Sequence, residues 1–386
     1  MLWHAMSGRD TQTNLCKLSL IDIVWAFSSM AFLLFTYVCL LFSIAAIVYG
    51  IWWFIANASG RVSMRITILL AFMLYMSLRS LLWRPQPPIG IPISEKRERK
   101  LSELITQVAE AVKAQKPKSI WLTPDCTIGA YEDASLFQLK GDITLTIGIV
   151  ALDWLSIGEL CSLIAHELAH FSRQQPLCIS LPAKIGLRFI RFTYSLRTQT
   201  KLWWLSPTWW LFWFLAPAYT IASYGVMRKY ELCADAIAAH KYGADTLISA
   251  LQKYGVIKIL FDGVMHSISE RLATERKSLT DMIKAFRELH ERLFQNELLE
   301  QIRMELLLTP SNPLTLHISL SERLDELKQI DFQPCFSSDN LRAISLLDDP
   351  QSLSMELSQL YAAAFHHLFF PLRKQKKEDR KEKEQG

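Results

Sequence analysis

The sequence predicts a mainly α-helical membrane protein, in which an N-terminal transmembrane helical hairpin precedes an α+β domain with a small sheet. Hydrophobic residues make up 51% of the 386-residue chain, and its 12 Trp and 20 Phe exceed what a soluble protein of this size normally buries. The net charge is only +5, and most of the excess lies beside apolar segments or in the tail. We therefore expect the lipid bilayer as a partner, and no nucleic acid.

Residues 23–84 are predicted to form the transmembrane hairpin, after an N-terminal tail over residues 1–22. No charged residue occurs from Ile23 to Gly60, although about 20 apolar residues suffice to cross the hydrocarbon core. A second apolar run extends from Ile66 to Trp83. A cleaved signal peptide is the alternative, but the first run is far longer than the apolar region of such a peptide.

The charges around the hairpin predict its orientation. The two flanks together contain more Lys and Arg than the turn, with Lys17 before the hairpin and most of the others after it, including the linker over residues 85–100, although the turn contains Arg61 and Arg65. This excess places the flanks and the following domain in the cytoplasm, with the hairpin in a bacterial inner membrane or its equivalent. The seven cysteines are scattered and include no C-x-x-C pair, which also indicates a reducing compartment.

Residues 101–330 are predicted to form the α+β domain. The spacing of apolar residues predicts an amphipathic helix from Lys96 to Gln115. Three short β-prone runs follow, at Ser119–Leu122, Ser135–Leu139 and Ile143–Val150. Ser156 and Glu159 then have the spacing of a capping box, which predicts the start of the next helix.

That helix carries the pattern H-E-x-x-H at residues 166–170 within an apolar run. Residues four apart lie on the same face of a helix, so His166 and His170 can bind one metal ion together. Two neutral imidazoles form part of a tetrahedral zinc shell, and Glu167 can take a proton from zinc-bound water. A core helix with two hydrogen-bonded histidines is the alternative.

A third ligand is expected from the segment Tyr230–Ala239, where Glu231 and Asp235 lie one helical turn apart among small apolar residues. Glu231 would complete a His-His-Glu shell whose fourth position is open to water. Asp235 would accept a hydrogen bond from the outer nitrogen of a zinc-binding imidazole. Two surface carboxylates paired with Arg228 and Lys229 are the alternative.

Together with the two N-terminal spans, H-E-L-A-H at residues 166–170 and E-L-C-A-D-A-I-A-A at residues 231–239 resemble a known family. That family comprises the gluzincin membrane metallopeptidases, which include HtpX-type quality-control proteases and the CaaX prenyl proteases. The resemblance covers Lys96 to Ile330. It implies a zincin-like α+β metallopeptidase domain with one Zn²⁺ per chain and a polypeptide substrate.

A later segment, H-I-S-L-S-E-R-L at residues 317–324, resembles the H-P-x-x-x-x-R-L segment of that family. By this resemblance His317 and Arg323 would line the cleft and stabilise the tetrahedral oxyanion or orient the substrate. Taken alone, the pair would be an ordinary helix N-terminus. Ile318 replaces the Pro of the family, and the Asn-Ala-aromatic signature of the substrate-binding strand is absent around residues 129–139.

The zinc site also constrains the topology of two apolar segments, residues 177–196 and 202–227. The second is long enough to span a membrane, yet Glu231 must lie on the same side as His166. The two segments must therefore cross twice as a hairpin or dip together into one leaflet. Three cations in the first and two prolines in the second favour the dip, which predicts a cleft near the bilayer surface. A soluble Trp-rich core helix is the alternative.

These observations predict an integral-membrane zinc endopeptidase that cleaves membrane-associated or misfolded proteins, followed by a helical extension over residues 331–370 and a disordered charged tail over residues 371–386. Two other functions stay open. One is a non-catalytic membrane scaffold with a structural zinc site, to which Cys233 could contribute. The other is an antirepressor-type signalling metallopeptidase. Prenylated-peptide processing is disfavoured because four apolar segments are too few to enclose a chamber.

Overall fold

The computed structural model describes most of the chain. The described residues are 16, 18–57, 60–81, 87–94, 96–134, 138, 140–199, 202–275, 283–284, 286–288, 291, 298–312, 318–329 and 341–363. Several predicted features lie wholly or partly outside them, namely residues 1–15 of the N-terminal tail, His317, residues 331–340 and 364–370 of the helical extension, and the charged tail over residues 371–386.

Two helices, α1 (Leu20–Asn57) and α2 (Arg61–Leu81), form the predicted N-terminal hairpin. Both are long and apolar enough to cross a membrane, as judged by length and composition. Large apolar side chains on α1 are exposed, among them Phe27 and Phe42. Water disfavours a continuous apolar surface of this kind, so the hairpin supports association of the chain with a membrane.

The α+β domain begins with a small mixed sheet and one amphipathic helix. Its first elements are β1 (Ile91–Ile93), α3 (Arg99–Ala111), β2 (Ser119–Thr123), β3 (Ile128–Asp133) and β4 (Asp142–Gly148). The strand order is β1-β2-β4-β3, and only β2 and β4 run parallel. Leu101, Ile105 and Val108 of α3 are buried in the core, as the apolar spacing predicts. Strand β3 forms one edge of the sheet.

The second strand differs from the prediction. The expected strand Ser135–Leu139 lies mostly outside the described residues, and Gln138, which is described, is not in a strand. Strand β3 occurs earlier in the chain and contains Gly129 and two acidic residues, so its composition is poor for a strand. Its pairing with β4 overrides that composition. The predicted third strand ends at Gly148 instead of Val150, because a helix begins there.

Helices dominate the remainder of the chain. They are α4 (Ile149–Trp154), α5 (Ile157–Ala169), α6 (Leu177–Gln199), α7 (Pro207–Ala222), α8 (Tyr224–Tyr242), α9 (Ala244–Glu275), α10 (Leu298–Leu308) and α11 (Leu320–Lys328). A 3-10 turn, Trp203–Leu205, lies between α6 and α7. A helix over residues 350–363 contributes Leu353 and Leu357 to the main core, which also contains the sheet, α3, α5, α8 and α9.

Helices α6 and α7 fold back on each other and pack along α1. Leu33 and Leu40 of α1 share a buried cluster with Phe189 of α6 and Phe212 of α7. The hydroxyl of Tyr219, on α7, donates to the carbonyl of Pro182 at 3.0 Å. The chain therefore returns along α1 before α8 begins. This is the paired arrangement that the sequence predicts for its two later apolar segments.

The first turns of α1 contact the start of α8. Ala26 lies in a buried cluster with Val226 and Tyr230. A Cβ atom at Gly225 would lie 2.4 Å from the Trp25 ring, so only glycine permits this close approach. The N-terminal hairpin is thereby attached to the helix that carries Glu231.

Candidate active site

The H-E-L-A-H motif lies at the C-terminal end of α5, and the predicted capping box is present at the other end. The backbone N–H of Glu159 donates to Ser156 Oγ at 3.2 Å, and the N–H of Ser156 donates to Glu159 Oε2 at 2.9 Å. This reciprocal cap defines where the helix starts. His166 and His170 are 4% and 9% exposed, and both face Glu231 of α8.

Glu231 of α8 lies between the two histidines. Its Oε2 atom is 3.4 Å from His166 Nε2, and its Oε1 atom is 3.6 Å from His170 Nε2. The three potential ligand atoms lie within 4.8 Å of one another. Zinc bonds to nitrogen and oxygen are about 2.0–2.2 Å long, so a single ion can reach all three residues. No other group of this kind occurs among the residues that the structure describes.

Asp235 lies behind His166, in the position predicted for it. Its Oδ1 atom is 2.8 Å from His166 Nδ1. A carboxylate only accepts hydrogen bonds, so this contact requires the proton on Nδ1 and leaves Nε2 free to face Glu231. Arg323 of α11 donates to the same carboxylate twice, from Nε at 2.8 Å and from Nη2 at 2.6 Å.

The electrostatics of the cluster favour a cation at its centre. Although burial and the charge of Arg323 oppose it, the carboxylates of Asp235 and Glu231 raise the pKa of His166 to about 9. Burial lowers the pKa of His170 to about 3, which keeps that imidazole neutral. Burial alone would raise the pKa of Glu231, but the two histidines hold it well below its usual range. The carboxylates that favour a proton on His166 favour a metal ion there for the same reason.

Glu167 lies beside this cluster and contacts the edge strand. Its Oε2 atom accepts a hydrogen bond of 3.1 Å from the backbone N–H of Ala130 on β3. Burial raises the pKa of Glu167 above its usual range; the charge of Glu231 adds to the rise, and His166 opposes it. A carboxylate of raised pKa is a stronger base, so Glu167 has the character that a proton acceptor needs.

A cavity of about 550 Å³ opens over these side chains. Residues Thr127 to Glu132 form one of its walls, and residues of α6, α9 and α11 contribute to the others. Because β3 is an edge strand, an extended peptide in the cavity could pair with it by backbone hydrogen bonds. The arrangement places the His166, His170 and Glu231 cluster, the Glu167 carboxylate and an edge strand around one cleft.

The sequence model of peptidase family M48 matches residues 95–331, which include strands β2 to β4, the H-E-x-x-H helix and α8. The chain belongs to peptidase family M48. The predicted resemblance to HtpX-type and CaaX-type metallopeptidases is thereby confirmed. Peptidases of this family depend on a metal ion, typically zinc, with which the His166, His170 and Glu231 cluster is compatible. Comparisons with curated proteins and with solved structures found no significant match.

Two contacts of this M48 site have no counterpart among the sequence predictions. The ring of Tyr230 stacks on that of His170 with 4.3 Å between centroids, and its hydroxyl donates to the carbonyl of His170 at 3.2 Å. The other contact is the hydrogen bond that the backbone N–H of Ala130 donates to Glu167. The only signal for Tyr230 in the sequence was its position directly before Glu231.

The pair predicted to stabilise the oxyanion is described only in part. His317 lies outside the described residues. Arg323 lines the cavity, and its Nη2 atom is 3.4 Å from His166 Nδ1 as well as bonded to Asp235. The structure therefore places Arg323 in contact with the side chains that orient His166.

Replacing Asp235 with Asn is expected to weaken zinc binding about 10- to 100-fold, the usual loss for a residue that orients a metal ligand. The amide keeps the shape of the side chain but removes the charge that holds His166 and Arg323. Competition between the metal-free protein and a chromophoric zinc chelator measures the change. Asp325→Asn is the matched control, because Asp325 is exposed and, among the described residues, pairs with Lys328 on the same helix and with no other cation. Equal zinc affinity in wild type and Asp235→Asn would show that Asp235 does not act on the metal.

Proposed function

We propose that this M48 peptidase is an integral-membrane zinc endopeptidase that hydrolyses peptide bonds of membrane-associated or misfolded proteins. The observation that carries the proposal is the convergence of Glu167 with His166, His170 and Glu231 at one cavity. The edge strand β3, which lines the cavity beside them, supports a polypeptide substrate. An internal stretch of extended chain could enter along this edge.

The roles of the residues follow from their contacts. His166, His170 and Glu231 would hold the zinc ion, which supplies Lewis-acid polarisation of the scissile carbonyl and lowers the pKa of water. Glu167 would accept a proton from the attacking water and deliver it to the leaving amine. The N–H of Ala130 would keep the Glu167 carboxylate oriented between these two tasks.

Arg323 and His317 are assigned to the substrate side of the reaction. Both would stabilise the oxyanion or orient the substrate. For Arg323 the support is its position on the cavity wall. Its two hydrogen bonds to Asp235 give it a second task, because they hold the carboxylate that orients His166.

The helix lengths support a cleft close to the membrane surface. Helix α1 has 38 residues and is about 57 Å long, whereas the hydrocarbon core of a bilayer is about 30 Å thick. Since Ala26 contacts α8, the projecting part is the N-terminal half of α1. The cluster with α6 and α7 extends along α1 to Ile44, which is about 20 Å short of its C-terminal end. We therefore assign to α6 and α7 a dip into one leaflet, on the cytoplasmic side.

A structural zinc site in a membrane scaffold would require a fourth protein ligand. The sequence offers Cys233 for that position. The thiol of Cys233 instead forms a hydrogen bond with Cys16, which precedes α1. No fourth His, Cys, Asp or Glu joins the cluster within the described part of the chain. A three-residue shell that faces a cavity favours catalysis over a closed structural site.

Removal of the metal tests the proposal. The full chain, purified in detergent, is expected to contain one zinc ion and to cleave β-casein, which is unstructured. Treatment with 1,10-phenanthroline should reduce cleavage to background, and added Zn²⁺ should restore it, because the chelator removes the ion that activates water. A protein that retains one zinc ion, binds no hydroxamate and cleaves no polypeptide would instead have the closed site of a scaffold.

A further inference from the structure

We propose that the end of the cleft next to α6 binds a carboxylate group of the substrate, from an acidic side chain or from the C terminus of a polypeptide. This inference rests on the proposed peptidase function and adds the substrate class that the cleft selects. The inference is based on the positions of three cations of α6.

The edge strand divides the cleft into two ends. The N–H of Ala130 donates to Glu167, so the proposed general base lies beside the middle of β3. On one side, the N–H of Ile128 donates to the hydroxyl of Tyr254 at 2.9 Å, so this end lies against α9. On the other side, Glu132 pairs with α6, which closes that end. A substrate paired with β3 would extend toward both helices.

Three cations lie on one face of α6 at this end, because Lys184, Arg188 and Arg191 follow the i, i+4, i+7 spacing. All three line the cavity. The neighbouring face of the helix carries Phe189 and Phe192 into the apolar cluster with α1 and α7. The three cations therefore line the cleft, while the apolar side chains of the same helix pack on α1 and α7.

Among the residues that the structure describes, Arg188 is the only one of these cations that forms an ion pair with a carboxylate. Arg188 donates to the Glu132 carboxylate and to the carbonyl of Gln138. This pair fastens β3 to α6 and neutralises the charge of Glu132. The next carboxylate on the strand, Asp133, is exposed at its end. The cleft thus has no remaining buried carboxylate on this strand to neutralise the other two cations.

Lys184 and Arg191 are held by aromatic rings instead. Lys184 Nζ lies 5.1 Å from the centroid of the Phe171 ring, and Arg191 Cζ lies 4.8 Å from that of Tyr131. Neither makes an ion pair with a carboxylate of the described residues. A ring attracts one side of a cation without neutralising it, so the other side can still bind an anion. A substrate carboxylate would supply that anion and would form charge-assisted hydrogen bonds with both groups.

The expected result is a preference of about tenfold in kcat/KM for peptides that place Asp or Glu at this end over peptides with Asn or Gln there, as one well-placed polar contact can provide. The zinc-loaded full chain is incubated with a degenerate dodecapeptide pool, and mass spectrometry reads the residues on both sides of each cleaved bond. Two forms of the pool, with free and with amidated C termini, separate a side-chain carboxylate from the terminal one.

Charge reversal at Lys184 tests whether the preference comes from α6. Lys184→Glu should remove the preference for acidic residues and favour Lys or Arg at the same position, whereas Lys184→Arg should keep the wild-type preference. Lys241→Glu, at the far end of α8 and outside the cavity, changes the net charge equally and should leave the preference unchanged. Arg191→Gln gives a second test if Lys184→Glu does not fold, since it should also weaken the preference.

A measurement of peptide binding tests this inference independently of the peptidase function. The Glu167→Gln variant with zinc is titrated with fluorescein-labelled peptide pairs that differ only by Glu or Gln. Tighter binding of the Glu peptide with no cleavage by the wild type would support the carboxylate subsite and overturn the endopeptidase. Cleavage of both peptides at equal rates, with equal binding, would overturn the subsite and leave the endopeptidase intact. The subsite is also wrong if Lys184→Glu alters only binding to vesicles containing phosphatidylglycerol, which would assign the cations to lipid.

Discussion

Glu167→Gln is expected to lower kcat/KM by about 10²- to 10⁴-fold, the usual contribution of a general base, while one zinc ion stays bound. The amide has the size of the carboxylate, and its carbonyl oxygen can still accept the hydrogen bond from Ala130. It cannot accept a proton from water at neutral pH, so only the chemical step is lost. Peptide hydrolysis and zinc content by mass spectrometry, measured on the same preparation, check both parts.

Glu103→Gln is the matched control for this substitution. Glu103 is an exposed residue of α3 that pairs with Arg99, and it lies outside the cavity. Its replacement should change neither activity nor zinc content. Two results would contradict the role of Glu167. Full activity would remove it from the mechanism, and loss of zinc together with activity would assign it to the metal site.

The candidate metal site was largely predictable because its parts are local patterns on helices. His166 and His170 lie one turn apart, and so do Glu231 and Asp235, so each pair reveals its shared face in the sequence. The capping box likewise predicts the start of α5 within one residue. To predict that these two helices contact each other required one further condition, namely that a zinc shell with two ligands on α5 takes a third ligand from another element.

The walls of the cleft were not predictable in the same way. Strand β3 has poor strand composition, and its place at the sheet edge depends on pairing with β4, which follows it. The ion pair between Arg188 and Glu132 joins residues 56 positions apart with no spacing rule to reveal it. From the sequence, the cations of α6 indicate only that this helix enters the membrane partially. In the structure they face the cleft, which no local pattern could show.

The position of Glu231 beside the two histidines depends on the tertiary fold more than that of any other proposed ligand, because α6 and α7 must fold back before α8 can reach α5. Glu231→Gln is expected to weaken zinc binding at least about 100-fold. A four-ligand structural site is worth about 10–16 kcal/mol, so one ligand accounts for about 3 kcal/mol or more. Activity should fall to background for the same reason. Glu300→Gln, a 73% exposed residue of α10, is the matched control and should bind zinc as the wild type does.

Thermal unfolding separates loss of a ligand from loss of the fold in this variant. A ligand that binds only the folded state raises the melting temperature, so zinc should stabilise the wild type and the Glu300→Gln control. Zinc should stabilise Glu231→Gln less than the wild type, and the metal-free form of this variant should melt below the metal-free wild type, because the substitution removes a buried charge that pairs with His166 and His170. If zinc stabilised Glu231→Gln as much as the wild type, Glu231 would not be the third ligand. The return of the chain along α1 would then have no part in completing the metal site.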